Sequence, residues 1–288
     1  MIRAGDSRDN LRAAASRSAA ARKDMPTLLD RLCDGFHRLR LDDGKAAIAK
    51  VRSDAPPSFF AAEARGLEAL ARTKTLRTPD VFAVDQRGLL IEDLGSGRAA
   101  RADWERAGAN LARLHRHAGD AFGFDRDGWC GDSPQDNTRC ADGHVFFADR
   151  RLRAQVSRAR ARGALDDDDC ARIDRICGRL PELVPSKPPV LVHGDLWIAN
   201  LHACATGELA LIDAGAVHYG WAEADLAMLT LFGEPPPAFF AAYASESGDG
   251  DSWRERVALY NLYHLLNHLN LFGASYLGAV RAVLRRYG

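Results

Sequence analysis

From Leu28 the chain passes from polar, Arg/Ala/Ser-rich sequence into short apolar runs whose period changes along its length. Phe36-His37-Arg38-Leu39-Arg40-Leu41, the turn residues Asp42-Asp43-Gly44 and Ala46-Ala47-Ile48-Ala49-Lys50-Val51 predict a β-hairpin. Pro56-Pro57 precedes a predicted helix from Ser58 to about Arg72, with Phe59, Phe60, Ala64, Leu67 and Leu70 near helical spacing. Val81 to Val84 and Leu89-Leu90-Ile91 predict two more strands, and Gly95-Ser96-Gly97 breaks the chain. Beyond it the spacing predicts helices over roughly 103–118, 145–162, 168–180, 222–232, 236–246, 253–272 and 274–287, with short strands near Val190-Leu191 and Leu209–Leu211. The expected fold is α+β and two-lobed. A flexible tail over 1–24 leads into a small antiparallel sheet plus helix over 25–94, then a larger, mainly helical lobe over 95–288.

Lys+Arg and Asp+Glu each number 39, so no net field favours nucleic acid or an anionic membrane as partner. No apolar run approaches the ~18 residues of a membrane span. The tail resembles a transit peptide in composition, but Asp6, Asp9 and the lack of an apolar face argue against one. The six cysteines (Cys33, Cys130, Cys140, Cys170, Cys177, Cys204) contain no C-x-x-C and no zinc-like grouping with histidines. They read as reduced thiols of a cytoplasmic protein. Arg150-Arg151-Leu152-Arg153 reads as a solvated helix face, and Asp166 to Asp169 as the capped start of a helix.

Chemistry concentrates in Leu191-Val192-His193-Gly194-Asp195-Leu196-Trp197-Ile198-Ala199-Asn200 and the following Leu211-Ile212-Asp213. Asp195 and Asn200 have the spacing of the kinase catalytic loop H-R-D-x-x-x-x-N, and Asp213 lies where its DFG-type aspartate would. Phosphoryl transfer requires the acceptor hydroxyl, the phosphates and Mg²⁺ to be held in line. Asp195 is the candidate base, Asn200 and Asp213 the candidate oxygen ligands of Mg²⁺. Lys50 would bind the α/β-phosphates of ATP as the lysine of V-A-I-K does, with Glu63 as its ion-pair partner. Glu92-Asp93-Leu94 sits at the expected hinge, where backbone groups would meet adenine. Asp225 is either an orienting acceptor for the catalytic loop or an ordinary first-turn carboxylate. His193 reads as loop scaffold. His264 and His268 share a helical face, but no Glu or Cys completes a zinc set in sequence; with Tyr260 and Asn267 they read as a polar face turned to a substrate pocket.

Three stretches carry a family resemblance: His193-Gly194-Asp195-Leu196-Trp197-x-x-Asn200, Tyr219-Gly220-x-x-Glu223-x-Asp225-Leu226-Ala227-Met228-x-x-Leu231-Phe232-Gly233, and Tyr260 to Gly273. Over about residues 36–287 the chain resembles the fructosamine/ketosamine-3-kinase family. The resemblance implies a protein-kinase-like fold and ATP-dependent phosphorylation of the 3-hydroxyl of a ketoamine, small or protein-bound, leading to deglycation. It also implies that Trp197 and His268 face the sugar. A monomer or weak homodimer is expected. Two departures stand out. Leu29 to Phe36, at the place of the nucleotide-covering loop, holds one glycine, and the family's Asp-Pro-Ala is Asp213-Ala214-Gly215. A small-molecule kinase of the aminoglycoside/choline type and a nucleotide-binding pseudokinase remain the alternative readings.

Overall fold

The structure, a computed structural model, describes residues 25–288, so the tail expected over 1–24 lies outside the described residues. Strands β1 (Gly35–Arg40), β2 (Ala46–Val51), β3 (Val81–Asp85) and β4 (Gly88–Glu92) form an antiparallel sheet in the order β1-β2-β4-β3. Phe36 pairs with Lys50, and Lys50 with Leu89. The alternation of β2 divides its side chains between two faces. Ala47, Ala49 and Val51 pack with Met25, Leu29 and Leu90 on the outer face. Ile48 and Lys50 point the other way, toward the cleft; a one-residue slip would turn Lys50 outward.

Helix α1 (Phe59–Arg72) buries Phe60, Glu63, Ala64, Gly66, Leu67 and Leu70 along one stripe. A Cβ on Gly66 would lie 1.8 Å from the Ala214 carbonyl oxygen. This glycine therefore lets α1 rest directly on the Asp213 loop, which brings Glu63 to the cleft.

Beyond the sheet come α2 (Arg101–Leu114), the hairpin of β5 (Gly128–Cys130) and β6 (Ser133–Gln135), α3 (Gly143–Val145), a π-helical segment (Phe146–Arg153) and α4 (Ala154–Ala161). They are followed by α5 (Asp167–Leu183), β7 (Val190–Val192), β8 (Leu201–Ala203), β9 (Leu209–Leu211), β10 (His218–Gly220), α6 (Ala222–Met228), α7 (Pro237–Ser247), α8 (Val257–Phe272) and α9 (Leu277–Tyr287). Strand β10 pairs with β7, and β8 with β9, fixing both ends of the segment His193 to Asn200. One hydrophobic cluster surrounds α8, with Leu262 and Leu266 against Phe146, Ile173 and Leu180. A second joins Leu67 and Ile91 to Leu111, Leu196 and Leu211, so apolar packing crosses between the sheet and the helical part. Among the described residues no helix is long and apolar enough to cross a membrane.

The solvated-face reading fails at Arg151, which is 1% exposed. Its guanidinium donates to Asp136 O and Asn137 Oδ1 and lies 4.5 Å from the Phe146 ring centroid. The π-helical turn replaces the 100° step assumed from sequence, so the inward face falls on a different residue. The capping reading holds: Asp166 accepts from Asp169 N–H at the start of α5.

Candidate active site

The candidate catalytic segment, His193 to Asn200, leaves β7 and turns sharply at Gly194, whose φ is 81°. A Cβ there would stand 2.2 Å from Ala216 O, so this close approach requires glycine. The turn is clasped from α6 by Asp225, whose Oδ2 accepts His193 N–H at 2.7 Å and whose Oδ1 accepts Gly194 N–H at 2.9 Å. Burial would raise the Asp225 carboxyl, but His115, His193 and Gly194 N–H outweigh it and hold it below its usual range. Asp225 is thus the orienting acceptor that sequence left undecided. The His193 ring scaffolds the same turn, its Nε2 reaching Ile212 O at 2.8 Å.

Asp195 projects into the cleft. Burial pushes its carboxyl up to about 6; His193 opposes the shift, and Asp213 and Asp225 add to it. Asn200, 3% exposed, donates its Nδ2 to Asp195 O at 2.8 Å, which leaves Oδ1 as its free acceptor. Asp213 adopts a left-handed conformation, φ 57°, seldom seen outside glycine and tolerated by Asp. Its carboxylate meets the Lys50 ammonium, and Lys50 Nζ also donates to Glu63 Oε1 at 2.5 Å. Burial pulls Lys50 down, yet Glu63 and Asp213 prevail and keep the ammonium above its ordinary value. These residues, distant in sequence, converge on one cleft.

At the hinge, Glu92 pairs with Arg77 at 2.5 Å and Asp93 with Arg38 at 2.9 Å, so both carboxylates turn to structural partners. Asp93 N–H donates to Ala46 O, and Leu94 O accepts from Ala205 N–H. Among the described residues the Leu94 N–H has no protein acceptor. Leu29 to Asp34 is anchored away from the cleft: Leu29 packs on the outer sheet face, and Asp34 accepts Ser53 N–H at 2.8 Å.

Trp197 and His268 meet through Phe232, a residue of the family motif to which the sequence reading gave no role. Phe232 stands edge-on to Trp197, ring centroids 6.3 Å apart, and 5.0 Å from the His268 ring. Phe272 and Tyr276 continue the aromatic wall on the other side of His268. The signal for Phe232 was its place in Leu231-Phe232-Gly233 of that motif, just past α6. The polar-face reading of α8 needs correction. Tyr260 donates to Glu223 Oε2, and Asn267 donates to Cys130 O, so both hold the interior together. His264 lies inside too, 4% exposed, with Nδ1 3.7 Å from Asp195 Oδ1.

The chain is similar to several known proteins. A sequence model described as fructosamine kinase matches residues 36–287. A probable ketoamine kinase of Synechocystis is 40% identical over 79% of this chain and 78% of its own length. The chloroplastic protein-ribulosamine 3-kinase of Arabidopsis thaliana is 31% identical over 85% and 77%. The crystal structure of a putative fructosamine-3-kinase from Thermobifida fusca superposes with a TM-score of 0.81 at 34% identity, covering 87% of this chain and 88% of that one. An aminoglycoside phosphotransferase in a ternary complex with streptomycin and ATP shares the fold, with a TM-score of 0.58 at 14% identity, covering 91% and 95%. With most of its length matched by both family model and relatives, the chain belongs to the fructosamine kinase family.

Proposed function

We propose that the protein transfers the γ-phosphoryl group of ATP to the 3-hydroxyl of a ketoamine, free or protein-bound, and so initiates deglycation. The observation that carries this reading is the aromatic wall of Trp197, Phe232 and His268 beside the catalytic loop of Asp195. An apolar platform next to polar groups suits a hydroxylated ring or chain. An aminoglycoside acceptor, being polycationic, would call for carboxylates where these aromatic rings stand.

In this reading Asp195 accepts the proton of the 3-hydroxyl as its oxygen bonds to the γ-phosphorus and the bond to the bridging β-γ oxygen breaks, releasing ADP. A carboxyl raised to about 6 is still mostly ionised at neutral pH and is a stronger base than an ordinary aspartate. Lys50, held by Glu63, moves its charge from Asp213 to the α/β-phosphates. The Leu94 N–H supplies a hinge donor for adenine, with the backbone of Glu92 and Asp93 forming the rest of that edge. Asn200 Oδ1 and the Asp213 carboxylate fit Mg²⁺, since both are hard oxygen donors: Asn200 Oδ1 accepts no protein hydrogen bond among the described residues, and Asp213 keeps Oδ2 beside the Oδ1 that Lys50 holds. When bound, Mg²⁺ supplies neutralisation of phosphate charge. Trp197 and His268 would flank the sugar; burial lowers the His268 pKa, so its imidazole meets hydroxyls as a neutral group.

The test is incubation with ATP and ribulosyl- or fructosyl-lysine, following both ADP formation and recovery of free lysine. The expected result is ketoamine-dependent ADP with delayed release of the amine. Turnover of an aminoglycoside with none of any ketoamine would overturn the reading.

A further inference from the structure

His264 poses a problem that phosphoryl transfer does not explain. Its Nδ1 is buried without a hydrogen-bond partner, and leaving a buried polar atom unpaired is costly. Sequence offered no Cys or Glu to complete a metal set with this histidine. The fold supplies one from afar: β5 ends at Cys130, which is 1% exposed and packs against α8. Cys130 Sγ, an Asp195 carboxylate oxygen and a His264 ring nitrogen all lie within 4.8 Å of one another.

We propose that Cys130, Asp195 and His264 form a binding site for a thiophilic divalent cation of the Zn²⁺ class, and that its occupancy stops catalysis by engaging Asp195. A sulfur, a nitrogen and a carboxylate oxygen are the donor types zinc takes, at about 2.3, 2.0 and 2.1 Å. Tetrahedral placement at those lengths separates the donors by about 3.3–3.6 Å. The observed 3.7 Å between His264 Nδ1 and Asp195 Oδ1 is already close to that spacing. The outer partner is in place as well, because Asn267 Nδ2 lies 3.3 Å from Cys130 Sγ and would stabilise the thiolate. The Asp195 side chain is 23% exposed against 5% for His264, so the ion enters from the cleft and keeps its fourth position toward it. On coordination the thiol gives up its proton to solvent. Mg²⁺, which prefers oxygen ligands, does not compete for this set, so the two ions would act at separate places in one cleft.

The binding claim stands on the donor geometry alone. The inhibitory consequence rests on the reading of Asp195 as the base.

The experiment uses the full chain carrying Cys33→Ser, which removes the exposed thiol, alone and combined with Cys130→Ser or His264→Ala. Zn²⁺ is titrated against a chromophoric chelator, Co²⁺ spectra are recorded, and ketoamine-dependent turnover is followed at excess Mg²⁺ with and without Zn²⁺. The expected result is one equivalent of Zn²⁺ bound about tenfold or more tightly with Cys130 and His264 present than with either replaced. Co²⁺ should give a thiolate charge-transfer band that Cys130→Ser abolishes. Zn²⁺ should suppress turnover, a zinc-selective chelator should restore it, and Cys130→Ser should keep basal turnover while losing the sensitivity. Equal Zn²⁺ affinity in all three proteins would overturn the site. So would a cobalt spectrum without the thiolate band, an outcome that needs no variant to fold. Binding with unchanged turnover would overturn the inhibition alone. Absence of native turnover on any ketoamine would count against the proposed function and leave the binding result to decide the site.

Discussion

Asp225, with three partners, and Lys50, with two, both stand at the cleft as charged groups, but they are held in different ways. Asp225 is 1% exposed and grips backbone N–H groups of the segment it orients. Lys50 holds side chains alone, one of them the Asp213 carboxylate, which is 49% exposed. A backbone clasp fixes geometry because the groups it holds cannot rotate away. A side-chain tether can be exchanged for phosphate oxygens with little rearrangement. In the proposed reading, the difference gives rigidity to the residues that would orient the acceptor and adaptability to those that would receive the nucleotide.

The clasp should be the costlier to break. Asp225→Ala strands two buried N–H donors and His115, and should destabilise the fold by about 3 kcal/mol or more, read as a lower urea midpoint. Lys50→Met should instead raise the KM for ATP by about tenfold to a hundredfold, the value of one lost charge-assisted contact, with a smaller change in the urea midpoint. If both variants lost stability equally, the distinction between clasp and tether would fail.

The pH profile sharpens the same contrast. In the proposed reading Asp195 must be ionised to act as base, and burial raises its carboxyl to about 6. Protonation on acidification therefore removes activity, so kcat/KM should fall as pH drops through about 6 instead of the ordinary aspartate value near 4. A limb near 4 would show that burial does not govern this carboxyl. Trp197→Ala should have the mildest effect, raising the ketoamine KM by roughly three- to tenfold while leaving the KM for ATP in place.

Much of this cleft was legible in the sequence because its parts are short and local. Alternation along Ala46–Val51 placed Lys50 on the face opposite the buried Ala47 and Ala49, and the spacing of Asp195 and Asn200 is set within one loop. The hairpin of β5 and β6 was not legible, since its three-residue strands, Gly128-Trp129-Cys130 and Ser133-Pro134-Gln135, lack the apolar run that marked the equally short β7 and β9. For the same reason nothing announced that Cys130 would reach His264. Arg151 was misread because a π-helical turn shifts which residue faces inward. Asp225 remained undecided because a first-turn carboxylate looks alike in sequence whether or not it grips a distant loop. Phe232 stood in the family motif without a role, because exposure, which marks it, is a property of the folded surface.

The central claim is that Asp195 acts in the transition state of phosphoryl transfer to a ketoamine. Its most direct test is ketoamine-dependent turnover by the native chain and Asp195→Asn, with ATP affinity measured on both. The account predicts a fall in kcat of about 10²–10⁴-fold with ATP affinity within about twofold of native. Undiminished turnover by Asp195→Asn, or a loss that merely follows weaker ATP binding, would contradict it.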